Sequence, residues 1–266
     1  MKWISSLCCL LAFACAGVPA MADDASTAAA KALAPSGRLR AAINFGNPVL
    51  AQKDPQTGQP RGVSVELARE LSRRLDVPVD FVSFDAAGKV TDALQRDAWD
   101  VAFLAIDPVR SAGITFTAPY VVIEGTYLVP QNSSIRTIDD VDRAGVRVSV
   151  SRGSAYDLYL TRALKNAQLV RVPTSPDAID AFVRDGLEAA AGVKQPIAAY
   201  ASAHPNVRAI AARFMLIEQA VGIPNAHAAG TAYVRAFVEE MKASGLVAKA
   251  LAASGQPDAA VAPPAR

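Results

Sequence analysis

Short apolar runs alternate with amphipathic stretches along most of this chain, which is the pattern of a sheet whose strands are joined by helices. We therefore predict an α/β fold. The predicted strands cover residues 39–44, 79–84, 100–104, 121–129, 146–150, 168–172 and 188–192. The predicted helices lie near residues 64–75, 89–97, 154–166, 175–185 and 195–203, and a helical pair follows over 233–253.

The helix predicted over residues 64–75 has the clearest pattern. Leu67, Leu71 and Leu75 recur four residues apart and form one apolar stripe, which predicts an amphipathic helix. Ser64 stands at the start of this stripe, and its hydroxyl group suits the N-cap position because it can accept a hydrogen bond from a free backbone N–H.

The beginning of the chain predicts a cleaved export signal over residues 1–22. Lys2 precedes an apolar stretch, and Ala20-Met21-Ala22 supplies the small residues of a cleavage site, so we expect cleavage after Ala22 and a periplasmic location. The apolar stretch is shorter than the roughly 20 residues that span a bilayer, which disfavours a membrane helix. A lipid-anchored form, attached through Cys15, stays open as an alternative.

Both ends of the mature chain are rich in alanine and proline and show no apolar period. We predict a flexible N-terminal arm over residues 23–36 and a disordered tail over 255–266. Residues 37–129 and 220–254 are predicted to form lobe 1, and residues 130–219 lobe 2. A chain that leaves lobe 1 near Pro130 and returns near Gln219 has two strand-like crossovers, which can act as a hinge.

Composition and charge remove several functional classes. All three cysteines lie in the predicted signal, so the mature chain has neither a disulfide framework nor a cysteine metal site. Removal of Lys2 with the signal leaves 26 basic and 25 acidic residues, and this balance predicts no nucleic-acid partner. The two histidines, His204 and His227, are far apart in sequence. We therefore predict no metal site, no cofactor and no Ser-His-Asp triad.

The order of the elements and several local motifs resemble the polar-amino-acid family of periplasmic solute-binding proteins of ABC transporters, the bacterial extracellular solute-binding protein family 3. The resemblance spans about residues 37–254. It implies the type II periplasmic-binding-protein fold, a Venus flytrap whose two lobes close on a small solute, acting as a monomer with an inner-membrane ABC permease. The motifs that carry it are Gly62–Leu67, Trp99–Ala102, Arg110 with Phe116–Tyr120, and Gly153-Ser154.

Arg110 is the main candidate for ligand binding. In the family, the matching arginine forms the ion pair with the ligand's carboxylate. The local sequence agrees, because Asp107 can cap a short helix and Pro108 suits its first position, which favours an anion at this helix start. A guanidinium can hold a carboxylate through two parallel hydrogen bonds. A surface ion pair is the alternative role for Arg110, and plain capping is the favoured role for Asp107.

Other candidates lie in the loop after the first strand and in the strand-glycine-helix segment 148–157. Ser154 and Asp157 fit a capping box at a helix start that the resemblance directs at the ligand. For Tyr156 the alternative to ligand contact is an apolar helix face, for the two asparagines turn formation, and for Lys89 a solvated helix end, which we slightly favour. The predicted ligand-binding residues are Asn44, Phe45, Asn47, Lys89, Ala105, Asp107, Arg110, Ser151, Ser154, Ala155, Tyr156 and Val193.

The sequence also departs from the family pattern. Amino-acid binders of the family have a lobe-2 carboxylate that pairs with the ligand's ammonium group, and the matching position here is Val193. An ammonium group buried beside valine would lose its ion pair. Leu104, Ala105, Ile106 and Ala155 replace family hydroxyl groups in the same region. We therefore predict a small organic anion with an apolar body, with Glu124 or Glu188 as the alternative source of a displaced acid.

The resemblance implies the solute-binding component of an ABC uptake system for a carboxylate-bearing solute, either an amino acid or a related organic acid. We do not expect an enzyme. Two alternatives stay open: a periplasmic dehydratase-like enzyme of the cyclohexadienyl dehydratase type, and an accessory or sensor binding module without a transport role. The fold alone cannot separate these functions, but a general acid needs a side chain with a proton to give, and Val193 has none.

Overall fold

The computed structural model describes residues 20–265. Most of the predicted export signal, including Cys15, lies outside the described residues. Within residues 20–265, no helix has both the length and the apolarity that crossing a membrane requires.

Strands and helices alternate along the described part of the chain. The strands are β1 (Leu39–Asn44), β2 (Gln52–Lys53), β3 (Pro60–Arg61), β4 (Val79–Phe84), β5 (Val101–Ala105), β6 (Ile114–Phe116), β7 (Val121–Pro130), β8 (Arg147–Ser151), β9 (Gln168–Val172), β10 (Ala189–Val193), β11 (Val207–Ala209), β12 (Met215–Pro224) and β13 (Ala260–Val261). The α-helices are α1 (Ala20–Leu33), α2 (Val63–Arg74), α3 (Ala87–Ala93), α4 (Pro108–Ser111), α5 (Ala155–Ala163), α6 (Ser175–Arg184), α7 (Lys194–Ala203), α8 (Thr231–Ala243) and α9 (Leu246–Ala253). Short 3-10 helices cover Leu94–Arg96, Asp139–Val141 and Asn225–Gly230.

One curled sheet runs through the molecule in the order β4-β1-β5-β12-β7-β10-β8-β9. The strands at its two ends are parallel, β1 with β4 and β5, and β8 with β9 and β10. The two central strands, β12 and β7, are antiparallel to each other and to these neighbours. We refer to the part built on β4-β1-β5 as lobe 1 and to the part built on β10-β8-β9 as lobe 2. The predicted two-lobed α/β fold is confirmed.

The two lobes share β7 and β12. In β7, Val121–Gly125 pairs with β12, and Gly125–Leu128 pairs with β10 of lobe 2. A Cβ atom at Gly125 would lie 2.8 Å from the ring of Phe214, so this change of partner requires a glycine. In β12, the partner changes from β7 to β5 at Gln219. Two strands therefore cross between the lobes, and the division of the chain at residues 129–130 and 219–220 remains a prediction.

Helix α2 buries the leucine stripe that its sequence predicts. Leu67 and Leu71 are fully buried, while Glu70 forms ion pairs with Arg73 and Arg74 on the outer face. The predicted N-cap is wrong. Gly62 occupies that position with a φ of 116°, and Ser64 lies inside the helix, buried, with its hydroxyl 3.1 Å from that of Tyr120.

Regular elements are present near both ends of the described residues, in the segments where a flexible arm and a disordered tail are predicted. In α1, Ala29 and Leu33 are buried. Leu33 packs directly against Gly230, which has no side chain and so provides the space that the leucine occupies. At the other end, β13 pairs with Val121 and Val122 of β7, and Ala262 beside it is buried. Small side chains leave no apolar period in the sequence, yet they allow the close backbone approach that these contacts need.

Candidate functional site

A cavity lies between the lobes, where β1 and β5 of lobe 1 and β8 and β10 of lobe 2 end. The carboxyl ends of parallel strands are where α/β folds commonly bind ligands. The predicted residues that line it are Asn44, Asn47, Ala105, Arg110, Ser151, Ser154, Ala155, Tyr156 and Val193. The lining residues that the prediction missed are Gly46, Ala87, Phe103, Leu104, Ser175, Ile217 and Gln219.

Arg110 is a buried cation whose guanidinium forms part of the cavity wall. Its Nη1 donates to the carbonyl oxygen of Ala105 and its Nη2 to that of Gly153, each at 2.8 Å. Its Nε is buried and has no partner within residues 20–265. Burial lowers the pKa of Arg110 to about 10, with a smaller opposing effect from Asp107, so the side chain stays charged at neutral pH. The described acidic side chains all lie beyond ion-pair distance of it, which rules out the surface ion pair considered as an alternative.

Asp107 lies close to Arg110 in sequence but faces away from the cavity. Its carboxylate caps α4 by accepting a hydrogen bond of 2.8 Å from the backbone N–H of Val109. It also forms an ion pair of 2.7 Å with Arg162 of α5. Asp107 is therefore a helix cap, as favoured, and it is not among the residues that line the cavity.

The segment between β8 and α5 brings lobe 2 to the cavity. Ser154 is the N-cap of α5 and accepts a hydrogen bond of 3.0 Å from the backbone N–H of Asp157. The carboxylate of Asp157 accepts from the N–H of Gly153 instead of completing the predicted box with Ser154, and it pairs with Arg171 at 2.9 Å. These hydrogen bonds hold the segment in place, with Ser151 and Ser154 on the cavity wall.

Tyr156 combines the two roles that the sequence leaves open. Its ring packs in the lobe 2 core beside Leu160 and also lines the cavity. Its hydroxyl lies 3.0 Å from that of Ser175, the first residue of α6. Burial raises the pKa of Tyr156, so its hydroxyl is neutral at physiological pH.

The loop after β1 contributes amide side chains from lobe 1. The side-chain oxygen of Asn44 accepts a hydrogen bond of 2.9 Å from the N–H of Gly46, and that of Asn47 accepts from the N–H of Val49 at 3.3 Å. Both asparagines thus stabilise the turn, as their alternative role predicts, and both still line the cavity. Phe45 between them lines an adjoining cavity instead.

Lys89 is also outside the cavity. Its ammonium group pairs with Asp85 at 2.8 Å, one turn away, and half of the side chain is exposed. It lines a third cavity, together with Arg110 and Arg152. The slightly favoured alternative, a solvated helix end, describes it better than ligand binding.

The cavity wall contains no carboxylate among the residues described. Val193, at the position that matches the family's lobe-2 carboxylate, precedes α7 and lines the cavity.

Glu124 forms ion pairs with Lys194 at 2.6 Å and with Arg213 at 2.7 Å. Both partners lower the pKa of Glu124, and Lys194 has the larger effect. Glu188 pairs with Arg147 on the surface of lobe 2. Neither glutamate replaces the missing acid, which corrects that alternative.

A second, larger cavity, of about 410 Å³, adjoins the first and shares Gly46, Tyr156, Ser175 and Val193 with it. We refer to it as the outer chamber and to the first as the inner cavity. In the described part of the chain, no group of three histidine, cysteine, aspartate or glutamate side chains is placed to hold a metal ion.

Three comparisons relate this chain to known proteins. The sequence profile of the bacterial extracellular solute-binding proteins, family 3, matches residues 39–253. The amino-acid-binding protein AabA of Dichelobacter nodosus is 27% identical over 143 residues, which cover 52% of this chain and 55% of AabA. This chain thus spans about half the length of that relative in the match.

Solved structures show the same fold at low sequence identity. A solute receptor for L-cysteine of Neisseria gonorrhoeae superposes with a TM-score of 0.74 at 21% identity, over 87% of this chain and 94% of the receptor. The ancestral amino acid-binding protein AncCDT-1, described as a precursor of cyclohexadienyl dehydratase, superposes with a TM-score of 0.69 at 22% identity, over 88% of this chain and 99% of AncCDT-1. With the profile match over most of its length, this chain belongs to the bacterial extracellular solute-binding proteins, family 3.

Proposed function

We propose that this protein is the periplasmic solute-binding component of an ABC uptake system, and that its lobes close on a small solute bearing a carboxylate. The observation that carries the proposal is Arg110, a buried cation without a described counter-ion on the wall of the interlobe cavity. A buried charge without a partner is unfavourable, so a carboxylate that reaches the guanidinium supplies the missing ion pair. The names of the relatives, which bind amino acids, support this class of solute.

The rest of the inner cavity suits a carboxylate more than an ammonium group. Besides Arg110, its polar side chains are the hydroxyls of Ser151, Ser154, Tyr156 and Ser175 and the amides of Asn44, Asn47 and Gln219. All of these can donate hydrogen bonds to an anion, and none is a carboxylate that could pair with an ammonium group. Val193 offers no acceptor. We therefore propose a related organic acid in preference to a standard α-amino acid.

Binding without chemistry is the favoured function. The described residues of the inner cavity include no carboxylic acid and no histidine, which are the usual general acids. The neutral hydroxyl of Tyr156 is held by Ser175 and has a raised pKa, which makes it a poor proton donor. A dehydratase would need a proton donor at this place.

A thermal-shift screen tests the proposal, with amino acids, keto acids, dicarboxylates and aromatic acids added to the mature protein. A ligand present at 100 times its Kd stabilises a protein by about 2.7 kcal/mol, which for this length raises the Tm by about 5–10 °C. Arg110→Lys keeps the charge but loses the paired hydrogen bonds, so we expect it to reduce the shift strongly. Arg38→Ala, which removes a surface partner of Asp80, is the control and should leave the shift intact.

Two results would contradict the proposal. The first is an equal shift from a carboxylate and from its neutral amide, and the second is an unchanged ligand response in Arg110→Lys. The transport role is tested separately by uptake of the radiolabelled ligand in cells with and without this gene. Uptake that does not depend on the gene would favour an accessory or sensor module.

A further inference from the structure

The inner cavity and the outer chamber share four lining residues and differ in the chemistry of their walls. Arg110, hydroxyl groups and amide groups line the inner cavity, together with apolar side chains such as Phe103 and Ile217. The outer chamber is lined mainly by apolar side chains, namely Phe45, Pro48, Pro176, Ile179, Pro196 and Ile197. A molecule held by Arg110 therefore passes from a polar environment into an apolar one.

From this arrangement we infer that the outer chamber binds the uncharged, apolar body of the same ligand whose carboxylate pairs with Arg110. The ligand class is a monocarboxylate with an aryl or branched-alkyl body. This inference rests on the proposed function, because it takes the position of the carboxylate from there.

Val193 and Tyr156 stand at the junction, since both line the two parts of the cleft. Val193 is half-buried, and the ring of Tyr156 is buried in the lobe 2 core. Any atom attached next to the ligand's carboxylate must pass these two side chains to enter the chamber. An ammonium group at that point would lose hydration without gaining an acidic partner, whereas a methylene group or an aromatic ring would bury apolar surface.

The size of the chamber also favours a body larger than that of most amino acids. The outer chamber has a volume of about 410 Å³, which lies within the range of about 300–1,000 Å³ for pockets that bind drug-sized ligands. The one charged residue of its wall is Asp180, which is exposed and forms no ion pair with another described residue. A second carboxylate on the ligand would be repelled by Asp180, so the structure favours monocarboxylates over dicarboxylates.

Four matched compounds test the inference by isothermal titration calorimetry: 3-phenylpropanoate, propanoate, phenylalanine and 3-phenylpropanamide. Each buried methylene group strengthens binding about fourfold, so we expect 3-phenylpropanoate to bind at least tenfold more tightly than propanoate. Phenylalanine has the same skeleton with an ammonium group, and we expect it to bind at least tenfold more weakly than 3-phenylpropanoate. The branched acid 4-methylpentanoate serves as the alkyl member of the class.

Three variants test whether the outer chamber is responsible for these differences in affinity. Phe45→Ala removes apolar wall from the outer chamber only, so it should weaken 3-phenylpropanoate at least fivefold and leave propanoate unchanged. Val193→Asp adds a carboxylate at the junction and should reverse the preference toward phenylalanine. Val193→Asn is its uncharged control and should not cause the reversal.

Failure of the inference is distinguishable from failure of the proposed function. If 3-phenylpropanamide binds as well as 3-phenylpropanoate, the carboxylate is not recognised and both fail. If carboxylates bind but Phe45→Ala leaves the affinities unchanged, only the inference is overturned. If carboxylates bind but phenylalanine binds most tightly, the inference and the proposed preference for an organic acid over an α-amino acid both fail, while recognition of the carboxylate stands. It is also overturned if neither 3-phenylpropanoate nor 4-methylpentanoate binds while other carboxylates do.

Discussion

Arg162 of α5 and Asp107 at the start of α4 form an ion pair of 2.7 Å that joins lobe 2 to lobe 1. Two further contacts lie beside it. Arg110 donates to the carbonyl oxygen of Gly153, and the backbone at Gly153 packs directly against that of Gly88. The lobes are therefore in contact along one side of the cleft, and each of these contacts must break when the cleft opens.

The ion pair between Arg162 and Asp107 should strengthen ligand binding by stabilising the closed arrangement. Arg162 is 44% exposed, so the pair contributes at most about 1 kcal/mol, and Arg162→Ala should weaken ligand affinity about two- to fivefold in calorimetry. Arg184→Ala, which removes a surface pair within lobe 2, is the control. The difference between Arg162→Ala and the unmodified protein should shrink at high salt, and a salt-independent difference would contradict the electrostatic explanation.

Gly88→Ala should impair closure without impairing folding. A Cβ atom at Gly88 would lie 2.5 Å from the carbonyl oxygen of Arg152 in the other lobe. Because the atoms that it would meet belong to the backbone, they cannot move aside as a flexible side chain could. Gly88 lies in α3, where alanine is a better helix former than glycine, so the ligand-free Tm should stay equal or rise. We expect at least tenfold weaker binding, together with a larger radius of gyration in the presence of ligand by small-angle X-ray scattering. Unchanged affinity would show that closure does not bring these glycines together.

The ion pairs of Glu124 should give the protein a pH-dependent stability. Its pKa is lowered from an ordinary value of 4.5 by Lys194 and Arg213, so the stabilisation is complete above about pH 5 and is lost as the pH falls through the lowered pKa. Glu124→Gln should lower the Tm by about 2–4 °C at pH 7, the effect of about 1 kcal/mol from two half-exposed pairs. The difference from the unmodified protein should therefore shrink as the pH falls below 4.5.

Glu218→Gln is a suitable control for that measurement. Glu218 lies on β12 beside β7, is exposed and forms no ion pair with any described side chain. Its replacement should leave the Tm unchanged at every pH. A Tm difference for Glu124→Gln that is the same at pH 7 and pH 3 would contradict the assignment to these ion pairs.

The sequence predicts most regular elements because their apolar periodicity is local. Strands β1, β4 and β9 begin and end at the predicted residues. The strands β6 and β11 escape prediction because three residues are too few to show a period. For β12 the pattern predicts only a crossing near Gln219, because Glu218 interrupts the apolar run and the strand is stabilised by pairing with β5 and β7.

The site is predictable where one local motif carries it. Ser154 follows from a short capping motif, whereas Arg110 follows from the family resemblance, with which the capping residues beside it agree, and both reach the inner cavity. Ile217 and Gln219 come from β12, more than a hundred residues after Arg110, and no local pattern connects them with it. The ion pair of Asp107 escapes prediction for the same reason, since its partner Arg162 is 55 residues away.

Lobe 2 lies between β7 and β12 in the sequence, and this position limits the order in which the two lobes can fold. Strands β8 to β11 and helices α5 to α7 all lie between β7 and β12, so lobe 2 is complete once β11 has been made. In lobe 1, β5 has no neighbour on the β12 side until residues 219–222 have emerged. During N-to-C-terminal synthesis or translocation, the lobe that begins first therefore finishes last, and its β5 edge is open to wrong pairing until then.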